Sequence, residues 1–190
     1  MTVEAPNMNV APLERAELTA TQSLMLREAL GGREIEVHIY STLVRVPEMF
    51  EAWVALAKEF LAGDALPRRA SEIAILRLAT RTECEYEWVH HVGRARAAGV
   101  DEETLAAIRE GSGDPHWDGF EAALVRAADE IVDDRQISAT TWGVLSGTFD
   151  VDQLVAFTVM LGFYSGTMMS LRTFGTPLEW RYRQTACECS

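Results

Sequence analysis

Basic residues are scarce in this chain, and the scarcity excludes whole classes of partner. Lys and Arg number 17 against 29 Asp and Glu, a formal net charge of −12. A surface of that sign repels nucleic acid and anionic membranes, so neither is expected as a partner. Cysteine is thin as well, at Cys84, Cys187 and Cys189. Three thiols make no disulfide framework and suit a reducing, cytoplasmic setting. The opening stretch MTVEAPNMNVAP lacks the basic segment and apolar run of a secretory signal. No segment alternates apolar and polar residues with period two, and no Asn-Gly hairpin signal occurs, which removes the usual evidence for strands. Phosphate-loop and dinucleotide glycine motifs are missing, as is the His-Glu-x-x-His spacing of a zinc helix. No cofactor and no metal are therefore expected.

What is present reads as helix. With 190 residues, 48% of them hydrophobic, the chain can close one core. Residues 1–32 read as an N-terminal arm with a short helix from Leu18 to Leu30, stopped by Gly31-Gly32. Residues 33–180 read as a single helical domain, and 181–190 as a flexible polar tail. Ile35, Ile39 and Leu43 recur at helical spacing from Arg33, with His38 on or near that apolar face as a core histidine. Pro47 opens a helix, Asp101 caps another, and Asp114-Pro115 read as the N-cap and first turn of a third. Asp129 in that third helix reads as a solvated carboxylate. Ser138 caps a short helix. Asp150 and Gln153 form a capping box for a long one. Leu154 to Leu171 carries no charge and is about long enough to span a membrane, but its Thr, Ser and Gly content favours a buried or inter-subunit helix. The Cys-x-Cys pair in the tail could bind metal or exchange thiols; chain ends are usually mobile, and no role is assigned to it.

The densest chemistry lies from Pro67 to Gly99. Pro67 suits the start of a helix running to Thr80, and a second helix is expected from Thr82, with Thr82 and Glu85 as a capping box and Gly99 as the stop. That start places Cys84 in a first turn, where the helix dipole lowers a thiol pKa. At 3.6 residues per turn Cys84, Glu87 or Trp88, and His91 share one face, and Glu87 and His91 are i,i+4 neighbours. A carboxylate beside an imidazole raises its pKa and fixes its orientation, which suits acid/base work. A very short link between the two helices brings Glu72 to the same place.

The segments Leu66-Pro67-Arg68-Arg69, Glu72-Ile73-Ala74-Ile75-Leu76-Arg77, Cys84-Glu85-Tyr86-Glu87-Trp88, His91 and Ala98-Gly99-Val100 resemble the carboxymuconolactone decarboxylase family and its relative, the alkylhydroperoxidase AhpD. The peroxidase branch carries Glu, eleven residues, Cys, two residues, Cys, three residues, His. Glu72, Cys84 and His91 fit that frame, and Glu87 stands where the second Cys would be. A dithiol reduces peroxide by closing a disulfide, and one thiol alone cannot; the Glu-Trp pair with a downstream His is similar to the decarboxylase branch instead. The resemblance implies an all-α AhpD-like bundle, oligomeric as a trimer or hexamer. It also implies a cofactor-free lyase for a small carboxylated lactone or related acid, with Glu72, Cys84, Glu87 and His91 as catalytic residues. Arg68, Arg69 or Arg77 would hold a substrate carboxylate, although a helix-face salt bridge is the ordinary role of each. An AhpD-like thiol peroxidase using Cys84 and a non-catalytic oligomeric domain are the alternatives.

Overall fold

A computed structural model describes residues 9–182. Among them no strand occurs, and the chain is all-α. The order is α1 (Ala20–Ala29), α2 (His38–Leu43), α3 (Pro47–Ala62), α4 (Arg68–Arg81), α5 (Glu85–Ala97), α6 (Glu102–Glu110), α7 (Gly119–Asp134), α8 (Ala139–Leu145) and α9 (Val151–Phe174). The expected tail thiols, Cys187 and Cys189, and the first eight residues of the arm lie outside the described residues. Two compact units emerge, one of residues up to Leu61 together with those from Ser170, the other Ala62–Met169.

In the first unit Thr19 and Gln22 form a capping box for α1, and Gly31 at φ +62° ends the following turn. The helix expected from Arg33 is shorter than its apolar spacing suggests, because residues 33–37 are not helical. Its first N–H, on His38, is taken by the buried Glu179 carboxylate at 2.7 Å, a cap supplied from far along the chain. The His38 ring bonds the Pro177 carbonyl at 2.8 Å, so it is a satisfied structural histidine. Tyr40 stands edge-on to Phe50 and Trp53.

The second unit is built around α4. Ala70 to Ala79 are buried without a break, so this helix has no solvated face. It packs against α5, α6 and α7, and α7 carries α8. Its interior nevertheless includes Glu72 and Arg77, and a buried charge must be paired. Arg77 donates to Asp129 on α7 through Nε at 2.6 Å and Nη2 at 3.1 Å. Its Nη1 satisfies the carbonyls of Ile108 and Arg109 at the end of α6. Arg81 adds a second bond to Asp129 at 2.9 Å. Asp129 is thus an internal counter-ion, not the solvated carboxylate its place on a helix suggested.

Two helix starts differ from their sequence signals. The cap of α7 is Asp118, whose Oδ1 accepts the Glu121 N–H, while Asp114 accepts the His116 N–H in a turn before it. Thr82 does not open α5. It closes α4, and its hydroxyl donates to the Leu78 carbonyl at 2.7 Å. Glu83 then adopts the left-handed conformation at φ +51°, a strain of about 1 kcal/mol for a residue with a Cβ. The Glu83 N–H bonds Thr80 O and the Cys84 N–H bonds Ala79 O, which completes a Schellman ending. Cys84 is therefore the last residue of that motif and also the N-cap of α5. A second Schellman pair, Gly99 to Arg96 and Val100 to Ala95, ends α5 where Gly99 was expected to stop it.

The α9 box is as expected, with Asp150 and Gln153 exchanging bonds at 3.1 and 2.8 Å. By length and composition α9 could cross a membrane; here one face, with Phe157, Met160, Leu161 and Met168, is closed into the core.

Asp129→Ala leaves Arg77 buried without its carboxylate and is expected to destabilise the fold by about 3 kcal/mol. Asp133→Ala removes an exposed partner of Arg81 and should cost under about 1 kcal/mol. Urea unfolding of the two variants measures the difference, and equal costs would contradict this account of α4.

Candidate functional site

The tight corner between α4 and α5 turns Glu72 and His91, 19 residues apart, toward one another. The His91 Nδ1–H donates to Glu72 Oε2 at 2.7 Å, and Nε2–H faces Glu87 Oε2 at 3.2 Å. All three side chains are buried. Glu87 is the third residue of α5, where a carboxylate commonly turns back to cap its own helix. Here the Cys84 N–H is already satisfied by Ala79, and Glu87 reaches forward one turn to the imidazole instead.

Burial opposes a charge on His91 and is the largest single influence on its proton. The hydrogen bonds and negative charges of Glu72 and Glu87 together outweigh it, and the pKa is pushed up from 6.5 to about 9. At neutral pH the ring is an imidazolium held at both nitrogens by carboxylates. The cluster thus carries one removable proton and a net charge of about −1. The Tyr164 ring of α9 meets His91 edge-on, with centroids 5.1 Å apart. This presents the ring edge and closes the apolar side of the cluster.

Cys84 is buried at the N-cap, three residues before Glu87, and makes no side-chain capping bond. Of the four sequence candidates, Glu72, Glu87 and His91 form one hydrogen-bonded cluster, and Cys84 opens the helix that carries two of them. The arginines are committed elsewhere. Arg69 forks onto Glu121 at 2.6 and 3.2 Å, Arg77 onto Asp129, and Arg68 donates to the Gly63 carbonyl. Arg69 thus makes the helix-face salt bridge expected of it, the Arg77 bridge is internal, and this Arg68 bond is to a backbone carbonyl. Tyr164 was not found from the sequence, because it lies 73 residues beyond His91 in the uncharged middle of α9, with no local pattern to mark it. Among the described residues no group of His, Cys, Asp and Glu is arranged to hold a metal.

The sequence profile of the carboxymuconolactone decarboxylase family matches residues 47–130, the segment that carries this cluster. Over that segment, 84 of the 190 residues, the chain is similar to the carboxymuconolactone decarboxylase family. No curated protein matches it in sequence. Solved structures of the same fold extend further along the chain. The debrominase Bmp8, as a cysteine-to-alanine variant in complex with 2,3,4-tribromopyrrole, is 15% identical over 98% of this chain and all of its own, with a TM-score of 0.75. An uncharacterised peroxidase-related protein from Silicibacter sp. is 16% identical over 95% of this chain and 97% of its own, with a TM-score of 0.74. A protein of unknown function from Agrobacterium tumefaciens, likened to the antioxidant defence protein AhpD, is 22% identical over 71% of this chain and 94% of its own, with a TM-score of 0.64. At these identities the likeness establishes the fold alone, an AhpD-like helical one.

The His91 proton also links stability to pH. Its folded pKa lies above the ordinary 6.5, so the imidazolium stabilises the fold fully below about pH 6.5 and the contribution is lost as pH rises through about 9. At about 1.4 kcal/mol per pH unit the whole effect is on the order of 3 kcal/mol. Unfolding free energies measured between pH 6 and pH 10 should show this decline, and His91→Gln should flatten it. A parent protein whose stability rises across that interval would contradict the assignment.

Proposed function

We propose that this protein is a cofactor-free acid/base enzyme of the lyase type. Its substrate is a small carboxylated lactone or related acid, decarboxylated or isomerised through an enolate. The observation that carries the reading is the buried Glu72–His91–Glu87 cluster, with one proton among three basic groups in a water-poor site. Decarboxylation breaks a carbon–carbon bond, releases carbon dioxide and leaves an electron pair that spreads onto oxygen as an enolate. One proton completes the product, and the imidazolium can supply it. Glu87, on Nε2, is the group through which that proton passes to the substrate. Glu72 holds Nδ1, fixes the ring and keeps its pKa high. In an isomerisation the same carboxylate takes a proton from one carbon and returns it to another. Cys84 is a polarisable neighbour in this scheme.

The N-cap place of Cys84 favours a second reading, a thiol peroxidase, since a helix start stabilises a thiolate. Peroxide would oxidise such a thiolate to a sulfenic acid. Glu87 occupies the place of the vicinal thiol that would resolve it as a disulfide. A peroxidase-related protein is among the structures that share this fold.

A general acid of pKa about 9 predicts an activity that holds through neutral pH and falls as pH rises past about 9. His91→Ala should lower turnover about a hundred- to ten-thousand-fold. Glu87→Gln should preserve fold and assembly while shifting the alkaline limb toward lower pH. Cys84→Ser should be the mildest of the three. The thiol reading reverses that order, with Cys84→Ser abolishing peroxide turnover. A non-catalytic domain would instead show altered oligomer mass in His91→Ala. Unchanged turnover of an accepted lactone by His91→Ala would retire the acid/base reading.

We also infer that the chain self-associates, as a trimer or hexamer. Val151, Val155, Val159 and Met169 form an exposed apolar row on α9, interrupted only by Gly162 and Gly166, which allow close approach. Val155→Glu with Val159→Glu should reduce the particle mass measured by light scattering. A parent protein that is monomeric at micromolar concentration would sink this inference.

A further inference from the structure

One buried hydroxyl on α9 has no protein partner. Thr167 is 4% exposed, and its Oγ1 lies beyond hydrogen-bonding reach of every protein group. Three other helical threonines satisfy themselves. Thr42, Thr80 and Thr158 each return the hydroxyl to the carbonyl four residues back, at 2.9, 3.0 and 2.8 Å. Thr167 has the same option toward Phe163 and does not take it. An orphaned buried hydroxyl is costly, so it marks a fault in the core or a place where a water or a ligand supplies the missing bond; Thr176 Oγ1 is a second such group among the described residues.

The neighbours of Thr167 decide between these. Tyr164, one turn earlier, rests on His91. Met168, the next residue, rests its Sδ 3.3 Å from the Thr82 hydroxyl oxygen at the end of α4. Around the helix axis Thr167 lies about 60° from Tyr164. The two contacts bracket the start of α5, and Cys84 and Glu87 lie between Thr82 and His91 along the chain. Thr167 follows Tyr164 by one turn of α9, on the flank of the Tyr164 contact away from Met168, about 100° round the axis from it. We propose that the Thr167 hydroxyl is a substrate-contacting group of the Glu72–His91–Glu87 site, donating its hydrogen bond to a carboxylate or carbonyl oxygen of the bound molecule. The arginines of α4 are engaged elsewhere, so a neutral donor on α9 takes over part of the work of holding an anionic oxygen beside a cluster that is itself negative. The chemical class of the ligand rests on the acid/base reading above; the role of the hydroxyl rests on its own geometry.

The test uses the full chain with paraconate, a saturated lactone carrying a carboxylate, and γ-butyrolactone as the uncharged control. Calorimetry compares the parent, Thr167→Val, Thr167→Ser and Glu87→Gln, and a melting curve is taken for each without ligand. Thr167→Val should bind paraconate about ten- to a hundredfold more weakly, and Thr167→Ser should bind it nearly as the parent does. The unliganded Thr167→Val protein should melt at or above the parental temperature, because valine fills the same space without an unpaired hydroxyl. Parental binding by Thr167→Val, or a lower melting temperature that Thr167→Ser restores, would overturn the assignment. In the first case a pH-dependent effect of Glu87→Gln would leave the acid/base reading standing. If the parent binds neither lactone, the lactone reading falls and the hydroxyl is judged on melting alone: a lower value for Thr167→Val refutes an orphaned donor, and an equal or higher one supports it.

Discussion

A helix buried on every side cannot carry an unpaired charge, and α4 carries two. Glu72 and Arg77 lie within the run of buried residues from Ala70 to Ala79. Each imposes a partner on a different neighbouring helix, His91 on α5 and Asp129 on α7. Removing either partner would strand a charge in the core, at a penalty larger than most single packing contacts supply. The two pairs therefore fix where α5 and α7 sit against α4 more sharply than apolar packing, which tolerates sliding, could do. Arg77 extends the constraint to α6 by satisfying two of its terminal carbonyls.

The two pairs are built differently, and the difference separates structure from chemistry. Around Arg77 the guanidinium has a fixed charge, its fork is filled, and no proton can move. Around His91 two carboxylates share an imidazole, and the proton on it can be given up and regained. Burial alone would drive this proton off; the two carboxylates hold it in place, which is the condition for keeping an acid ready at neutral pH. The fold is shared with proteins described as a debrominase and as peroxidase-related. Function on such a scaffold depends on the site, here on a carboxylate at Glu87 facing the imidazole and on what α9 offers across from it.

Much of this was legible in one dimension. The i,i+4 spacing of Glu87 and His91 guarantees that the side chains can meet on any helix. The resemblance added Glu72, and the short link to the next helix supplied the reason it could arrive. The boundaries were less legible, for a local reason. Thr82 with Glu85 and Asp114 with Pro115 both carry valid capping signals, yet each was displaced by a competitor a few residues away. A left-handed Glu83 let α4 run on to Arg81, and Asp118 out-competed Asp114 for the start of α7. Capping signals are worth about 1 kcal/mol, less than the packing that decides where a buried helix ends.

By itself the sequence determined the helical class, the acidic surface, the face shared by Glu87 and His91, and the commitment of Pro47, Asp101, Ser138 and Asp150 to their helix starts. All of these follow from interactions within four residues along the chain, which the chain cannot avoid making. Only the tertiary structure decided that α4 has no solvated face, that Asp129 is an internal counter-ion, that Glu179 caps a helix 141 residues earlier, and that Tyr164 rests on His91. Nothing local distinguishes a carboxylate that will meet solvent from one that will meet a buried arginine. The choice is made when helices distant in sequence close over one another, and the desolvation of each charge then selects the arrangement that pairs it.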